Sequence, residues 1–430
     1  MNQRPFSIFS LTEDQAILLL ETPPEQLDDP ADRYIAASQL VNYPSDRAIQ
    51  ALIKALTLPV EDLNSRIVRR KAVETLGYLK ATAALPFLQE RLQDEDPYTV
   101  QNAIWSIGEI GCPDQPEQTI IGEIIALLSN ERQNTRLIIQ TLAKLKSTAA
   151  VEPIRAFMQA DDPAIAGAAI SALYQLAGED TQLPRLVEFL QHDSVNARRS
   201  SIQDLIDARC YDAIPKIIQC PVSIAFRLRG IRLLAEAGMP TEAITFAQLE
   251  TALDITIRDH PQALALVHEY DQPPSLDFVI HELYETDFSR CYLATQTLLE
   301  LYPEVAPTAL ITEFQQKARG DYGAHYHVIK LLGWLRYQPA YDLILEALHN
   351  PAPQFQKSRF AAAIALGELG DARAIPELKT YLDNPVWALS YACLLALQQL
   401  NVAIDQAIFD TDTADFLVRA KGLRRFASSR

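Results

Sequence analysis

The sequence predicts an all-α protein, built as a superhelical stack of repeated helix pairs. Glycine is scarce, with 14 residues, whereas proline is plentiful, with 26. This balance suits many helices separated by prolines and disfavours a glycine-rich α/β nucleotide fold. The second observation is a repeat of 31–34 residues, a period that is typical of helical solenoids.

The repeat is clearest when segments 79–111, 145–178 and 369–400 are compared. Each opens with small residues, carries an early proline in a first helix, breaks at Asp or Asn followed by Pro, and continues in an alanine-rich second helix. Proline is tolerated in the first turn of a helix, where its missing N–H has no intrahelical partner. Alanines on the second helix let neighbouring helices approach, and each pair leaves an apolar face that only the next pair covers.

These units resemble HEAT repeats, and "VRRKAVETLGYL" (68–79) matches the second-helix pattern. The predicted fold is therefore an all-α, HEAT-like helical-repeat solenoid (α/α superhelix). It is expected to be one continuous solenoid, in five parts: an N-terminal helical cap (1–45), HEAT-like repeats (46–240), irregular helical repeats (241–324), HEAT-like repeats (325–400), and a C-terminal helix with a basic tail (401–430).

Composition excludes several functional classes. The formal net charge of −17 disfavours binding to a nucleic-acid backbone, because phosphates would be repelled over most of the surface. The five cysteines form no CxxC pair, so reduced thiols are expected rather than a metal site. The N-terminal residues lack the pattern of a signal peptide, and no long apolar run occurs, so we expect a protein of the cytosol without membrane insertion.

No standard enzyme motif is present. The chain has no GxxxxGK phosphate loop, no GxGxxG and no GxSxG, and "HELYE" (281–285) lacks the second histidine of a zinc helix. The default function of such a solenoid is protein binding in its concave groove.

One resemblance changes this default. The segments "RYIAASQLVNYPSDRAIQALIKAL" (33–56) and "VQNAIWSIGEIG" (100–111), with the helical repeats, resemble the E/F-type HEAT-repeat phycobilin lyases. The most similar branch is the single-chain phycoerythrobilin lyases and lyase-isomerases of the CpeY and MpeZ kind. The resemblance implies thioether attachment of phycoerythrobilin, with or without isomerisation to phycourobilin, to a cysteine of a phycoerythrin α-subunit. The alternative is a non-catalytic HEAT-repeat chaperone or scaffold for phycobiliprotein assembly.

The resemblance also sets expectations for partners and location. The linear tetrapyrrole is a substrate, and no cofactor or metal is expected. A second HEAT-repeat lyase or chaperone subunit is a further candidate partner. The compartment would be the cyanobacterial cytosol or the plastid stroma.

Bilin chemistry points to the stretch "ARGDYGAHYHVIKLLGWLRY" (318–337). Propionates pair with Arg or Lys, pyrrole N–H groups favour a carboxylate, and flat rings favour aromatic walls. We therefore predict Arg319 for a propionate, Asp321 for the pyrrole nitrogens, and Tyr322 and His325 for proton transfer. Tyr326, His327 and Trp334 are further predicted bilin-binding residues. The alternative is a capped helix whose histidines face solvent and whose Trp334 is core.

A second candidate set lies in the first half of the chain. Asn102, Trp105 and Glu109 share one helix face by their spacing, and Arg69 is a further candidate for a propionate. The alternative is that Trp105 fills a gap between adjacent repeats and that Arg69 is structural.

Overall fold

The structure, a computed structural model, describes residues 10–59, 61–112, 117–405, 408–409 and 414–427, and within these ranges the regular elements are all helices. The contacts divide the chain into two compact units, Met1–Leu183 and Pro184–Arg430. The prediction of an all-α helical-repeat fold is confirmed. The first nine residues of the predicted cap and the last three of the basic tail lie outside the described residues.

Unit 1 is a row of helix pairs. Its second helices α2, α4, α6, α8 and α10 pack each against the next, and α3, α5, α7 and α9 cover one side of that row. The helices of unit 1 are α1 (Glu13–Glu21), α2 (Asp32–Gln39), α3 (Asp46–Ala55), α4 (Leu63–Tyr78), α5 (Leu85–Glu90), α6 (Pro97–Ile110), α7 (Glu117–Ala126), α8 (Thr135–Lys144), α9 (Val151–Arg155) and α10 (Pro163–Ala177).

Unit 2 continues the same pattern with one exception. The helices from its beginning are α11 (Leu183–Phe189), α12 (Val195–Asp207), α13 (Ile214–Ile217), α14 (Ile224–Gly238), α15 (Phe246–Arg258), α16 (Leu276–His281), α17 (Phe288–Leu301), α18 (Ala306–Gln316), α19 (Tyr322–Trp334), α20 (Tyr341–His349), α21 (Gln356–Leu369), α22 (Ala374–Thr380), α23 (Trp387–Gln399) and α24 (Phe416–Ala427). The second helices α17, α19, α21 and α23 form its row, and each packs on the next.

The exception is α15. It packs not only on its neighbour α14 but also on α21, α23 and α24, far along the chain. The Tyr391 hydroxyl on α23 donates to Asp254 on α15 at 2.7 Å, and Lys421 on α24 lies 2.6 Å from the same carboxylate. Because α15 packs across the row of second helices, its sequence no longer follows the repeat. This explains the blurred period in segment 241–324.

The Asp-Pro and Asn-Pro breaks act in two ways. Asp96 and Asp162 are N-caps, and the helices begin at the prolines that follow them. Asn350 and Asn384 instead accept from backbone N–H groups two residues on, at 3.1 and 3.0 Å, and α21 and α23 begin only later. A break is present at all four positions, three of them in the segments compared above, but the Asn-Pro pairs form turns rather than helix caps.

Small residues set the spacing of the second helices. A Cβ atom added to Gly333 on α19 would lie 2.5 Å from Cβ and 2.6 Å from Cα of Ala365 on α21. No real side chain tolerates such distances to a backbone atom. Glycine here allows the two helices to pack backbone against backbone, as the alanine-rich sequence predicts.

No helix among the described residues is long and apolar enough to cross a membrane.

Candidate functional site

A turn precedes α19. A short helical turn at 318–320 leads to Asp321, the N-cap of α19, whose Oδ1 accepts from the N–H groups of Gly323 and Ala324, both at 2.8 Å. Within the described parts of the chain the other oxygen, Oδ2, accepts no hydrogen bond. The Tyr322 side chain follows and is 57% exposed. The carboxylate has a structural task and still has an oxygen available for a ligand.

Lys357, in the first turn of α21, lies beside this turn. Its ammonium is 4.2 Å from the ring centre of Phe288 and 5.0 Å from those of Tyr322 and Tyr326. It is half-buried, and no carboxylate of the described residues pairs with it. Burial lowers the pKa of Lys357 to about 8. An unpaired ammonium and an exposed tyrosine ring therefore lie side by side at the N-terminal ends of α21 and α19.

Behind the aromatic rings is a buried polar cluster centred on Asp259, which follows α15 with a φ of 50°. Its carboxylate accepts from Arg227, Tyr292 and Tyr326, and Lys330 Nζ lies 2.7 Å from its Oδ2. Burial alone would raise the pKa of Asp259, but Lys330 and Arg227 hold it well below its usual range. This cluster is fully enclosed, so it supports the site from behind rather than contacting a ligand directly.

The two histidines of α19 are buried, contrary to the alternative that placed them in solvent. The His325 ring lies 5.0 Å from that of Phe314 and 4.7 Å from that of Phe355, and burial lowers its pKa to about 4. His327 meets three aromatic rings, and burial lowers its pKa well below the usual value. Within the described chain, His325 Nδ1 and His327 Nε2 have no hydrogen-bond partner. Both rings are neutral at pH 7, and their predicted roles stay predictions.

Two other residues predicted in this stretch have protein partners. Arg319 is 64% exposed and forms an ion pair with Glu346. Trp334 is half-buried, 4.9 Å from the His260 ring and 4.7 Å from Lys330 Nζ. The structure thus groups Asp321, Tyr322 and Tyr326 around Lys357, whereas Arg319 pairs away from them.

The second candidate set belongs to unit 1. Arg69 is buried and pairs with Asp94, and Asn102 donates to the backbone oxygen of Arg70 at 3.0 Å. These contacts hold adjacent repeats together.

The other two members of that set are also engaged within unit 1. Trp105 is half-buried and packs edge-on against the Tyr78 ring at 4.8 Å, and Glu109 pairs with Lys144 at 2.6 Å. The roles of Trp105, Glu109, Asn102 and Arg69 in bilin binding stay predictions.

The buried cysteines are poor nucleophiles. None of the five cysteines forms a disulfide, and three are buried. Burial raises the pKa of both Cys220 and Cys291 to about 12, so these thiols stay protonated at pH 7. Over the described ranges no group of three or more His, Cys, Asp or Glu side chains is arranged to hold a metal.

Sequence reasoning missed Lys357 and the cluster at Asp259. Lys357 could have been found from the register of the repeat, because Phe288, Tyr322 and Lys357 each lie in the first turn of successive second helices, 34 and 35 residues apart. The Asp259 cluster depends on α15 leaving the repeat, and no periodicity signals that.

Comparisons with known proteins identify the family of this chain. The family model described as HEAT repeats matches residues 60–119, 123–206 and 313–398, and that described as PBS lyase HEAT-like repeat matches 32–57. The chain is 52% identical over 421 residues, 98% of this chain and 99% of the relative, to the "Uncharacterized phycocyanin operon protein Y" of Pseudanabaena tenuis. It is 33% identical over 418 residues, 93% of this chain and 98% of the relative, to the "Bilin biosynthesis protein CpeY" of a Synechococcus species.

A solved structure is also similar, the complex of CpcE and CpcF of phycocyanin lyase from Nostoc sp. PCC7120. It is 25% identical, covers 60% of this chain and 97% of the other, and has a TM-score of 0.48. On the full-length identity to the CpeY relative and the matched repeat models, the chain belongs to the HEAT-repeat bilin lyase family.

Proposed function

We propose that this protein attaches a linear tetrapyrrole, phycoerythrobilin, to a cysteine of a phycobiliprotein subunit. The observation that carries the proposal is the grouping of an open Asp321 oxygen, the exposed Tyr322 ring and the unpaired Lys357 ammonium at the N-terminal ends of α19 and α21. These are the groups that pyrrole N–H donors, a flat conjugated ring and a propionate require. The full-length similarity to a bilin biosynthesis protein supports the substrate class.

The reaction is an addition without a leaving group. The S–H bond of the acceptor cysteine breaks, its sulfur bonds to the ethylidene carbon of ring A, and the conjugated system takes up one proton. The thiol proton replaces the one that the proton donor gives up, so the addition balances. We assign delivery of that proton to Tyr322, because its hydroxyl-bearing side chain is exposed and the residue directly follows Asp321 at the start of α19. Asp321 would hold the pyrrole nitrogens through Oδ2 and fix one conformation of the pigment. Isomerisation to phycourobilin would add removal of a proton from ring A and its return beyond the double bond.

The acceptor we propose is a phycoerythrin α-subunit, docked over the pigment in the cyanobacterial cytosol or plastid stroma. Its thiol is supplied by the acceptor, because the buried cysteines of this chain are not nucleophiles at neutral pH. No cofactor beyond the pigment is required by this addition. A second HEAT-repeat subunit remains a candidate partner.

The test is co-expression with phycoerythrobilin synthesis and an acceptor α-subunit, with covalent colour read on a denaturing gel and by absorbance. Tyr322→Phe keeps the aromatic wall but removes the hydroxyl, so attachment should slow by about 10²–10⁴-fold, as for loss of a general acid. Asp321→Asn keeps the helix cap but removes the charge, so attachment should also fall.

A matched control is Tyr98→Phe. Tyr98 is also exposed (59%), lies in the first turn of a second helix and contacts a cation, Arg70, at 4.5 Å. This variant should colour the acceptor like the wild-type protein. If Tyr322→Phe and Asp321→Asn both attach the pigment at the wild-type rate, this turn takes no part in the reaction. A rise only in soluble, uncoloured acceptor would indicate a chaperone instead.

A further inference from the structure

The ammonium of Lys357 has an unusual environment for a lysine. Surface lysines are solvated, and buried lysines are paired, as Lys330 is with Asp259 at 2.7 Å. Lys357 is half-buried and faces three aromatic rings, with no carboxylate partner within the described residues. Ring faces attract a cation, but each contact contributes only about 0.5–2 kcal/mol, less than a paired carboxylate can supply in a partly desolvated site.

The surrounding rings also define a direction. Phe288 and Tyr326 are buried behind the ammonium, whereas Tyr322 is exposed. A ligand therefore reaches Lys357 along the Tyr322 side. Burial without a paired carboxylate lowers the pKa of this lysine to about 8, and an anion placed beside it would raise that pKa again.

We propose that Lys357 is the carboxylate-binding residue of this site and pairs with one propionate of the linear tetrapyrrole, while the Tyr322 ring lies against the adjacent pyrrole. The identity of the ligand rests on the proposed function. The assignment replaces Arg319 as the first candidate for a propionate, because Arg319 is exposed and already paired with Glu346. An ammonium framed by rings favours a flat ligand that carries a carboxylate at its edge.

The test compares binding of two probes to the purified full-length protein: biliverdin, which has two free propionates, and biliverdin dimethyl ester, which has none. Titrations are read by the change in pigment absorbance. The wild-type protein should bind biliverdin about tenfold or more tightly than the ester, since a charge-assisted pair contributes on the order of 1–3 kcal/mol. Lys357→Met should lose that advantage and bind the ester with unchanged affinity.

The matched control is Lys317→Met. Lys317 Nζ also lies over a tyrosine ring, that of Tyr284 at 4.0 Å, but its side chain is exposed. This variant should bind both probes like the wild-type protein. Circular dichroism melting of each variant verifies folding. If Lys357→Met binds biliverdin as tightly as the wild-type protein does, Lys357 is not the carboxylate site.

A second readout does not depend on a variant. Acetylation of lysines by an amine-reactive ester at pH 8, followed by peptide mass spectrometry, should be slowed at Lys357 by biliverdin and not by the ester. Equal labelling with and without biliverdin would also overturn the proposal.

These outcomes separate the site from the reaction. If Lys357→Met loses biliverdin binding but the wild-type protein does not colour the acceptor in co-expression, the carboxylate site is supported and the proposed lyase activity is contradicted. If Lys357→Met colours the acceptor at the wild-type rate, the lyase activity is supported and the carboxylate site at Lys357 is contradicted.

Discussion

At the scale of single residues, Asp321 has two roles at the site. Asp321 caps α19 through Oδ1 and leaves Oδ2 available. The sequence offered this cap as the alternative interpretation, because an Asp before a helical pattern is a local signal. It was insufficient for the two histidines, because burial is decided by neighbouring helices. Phe314 and Phe355, which enclose His325, come from segments about 10 and 30 residues away.

The buried His325 makes stability depend on pH. Its folded pKa of about 4 lies below the usual value of 6.5, so the unfolded chain binds a proton between these values and the folded protein does not. The contribution is complete above pH 6.5 and is lost as pH falls towards 4. Between pH 7 and pH 5 the free energy of unfolding should fall by about 2 kcal/mol from this residue.

Urea denaturation of the wild-type protein and of His325→Phe at both pH values measures this effect. The phenylalanine variant should lose about 2 kcal/mol less than the wild-type protein on acidification. His281, an exposed histidine at the end of α16, provides the control, and His281→Gln should keep the wild-type dependence. Equal acid sensitivity in wild-type and His325→Phe protein would show that this ring is not held neutral.

Among the elements, the second helices are the best predicted. Their period, their early turns and their alanines could be recognised in the sequence, because each helix pair repeats the same local contacts. The partners of α15 could not be predicted from the sequence. Its contacts with α21 and α23 join residues more than 100 positions apart, and only tertiary packing specifies them. The same long-range packing places the Asp259 cluster behind the site.

The close approach of α19 and α21 predicts a cost for any side chain at Gly333. Gly333→Ala places a methyl group 2.6 Å from the Cα atom of Ala365, so the helices must separate. The expected loss is about 1–3 kcal/mol, reduced by up to about 1 kcal/mol because alanine is the better helix former. Thermal unfolding followed by circular dichroism measures the shift.

Gly122 is the control for this substitution. It lies in α7, is exposed, and an added Cβ would meet nothing within 4 Å. Gly122→Ala should therefore raise the melting temperature slightly. A stabilised Gly333→Ala protein would mean that the spacing of α19 and α21 is not fixed by this contact.

At the scale of the whole molecule, the charge balance opposes the ligand. The chain carries a formal charge of −17, and a bilin with two propionates is a dianion. Long-range repulsion should slow association at low salt, whereas the contact with Lys357 acts only at short range. The association rate of biliverdin should therefore rise as ionic strength increases from ~10 to ~200 mM, because the screening length shortens to about 10 Å or less.

Stopped-flow absorbance at several salt concentrations measures that rate, with the uncharged dimethyl ester as the control that should show little change. A rate that falls with salt would mean that a positive local field, rather than the net charge, governs the approach of the ligand. Net charge was available from the sequence, but the position of an unpaired cation was not, because tertiary packing decides which of the 38 Lys and Arg residues lacks a carboxylate partner.

The packing of α15 also has a mechanical consequence. In a stack whose helix pairs contact mainly their neighbours, as in unit 1, small rotations add up along the chain and the stack flexes like a spring. In unit 2, α15 ties α14 to α21, α23 and α24, and the buried cations and carboxylate of Asp259, Arg227 and Lys330 lock its end. These long-range contacts oppose both stretching and opening of the helix stack in unit 2. Phe288, Tyr322 and Lys357 thus lie on helices whose relative positions are fixed by α15. Helices held in this way can keep a bound pigment in one conformation.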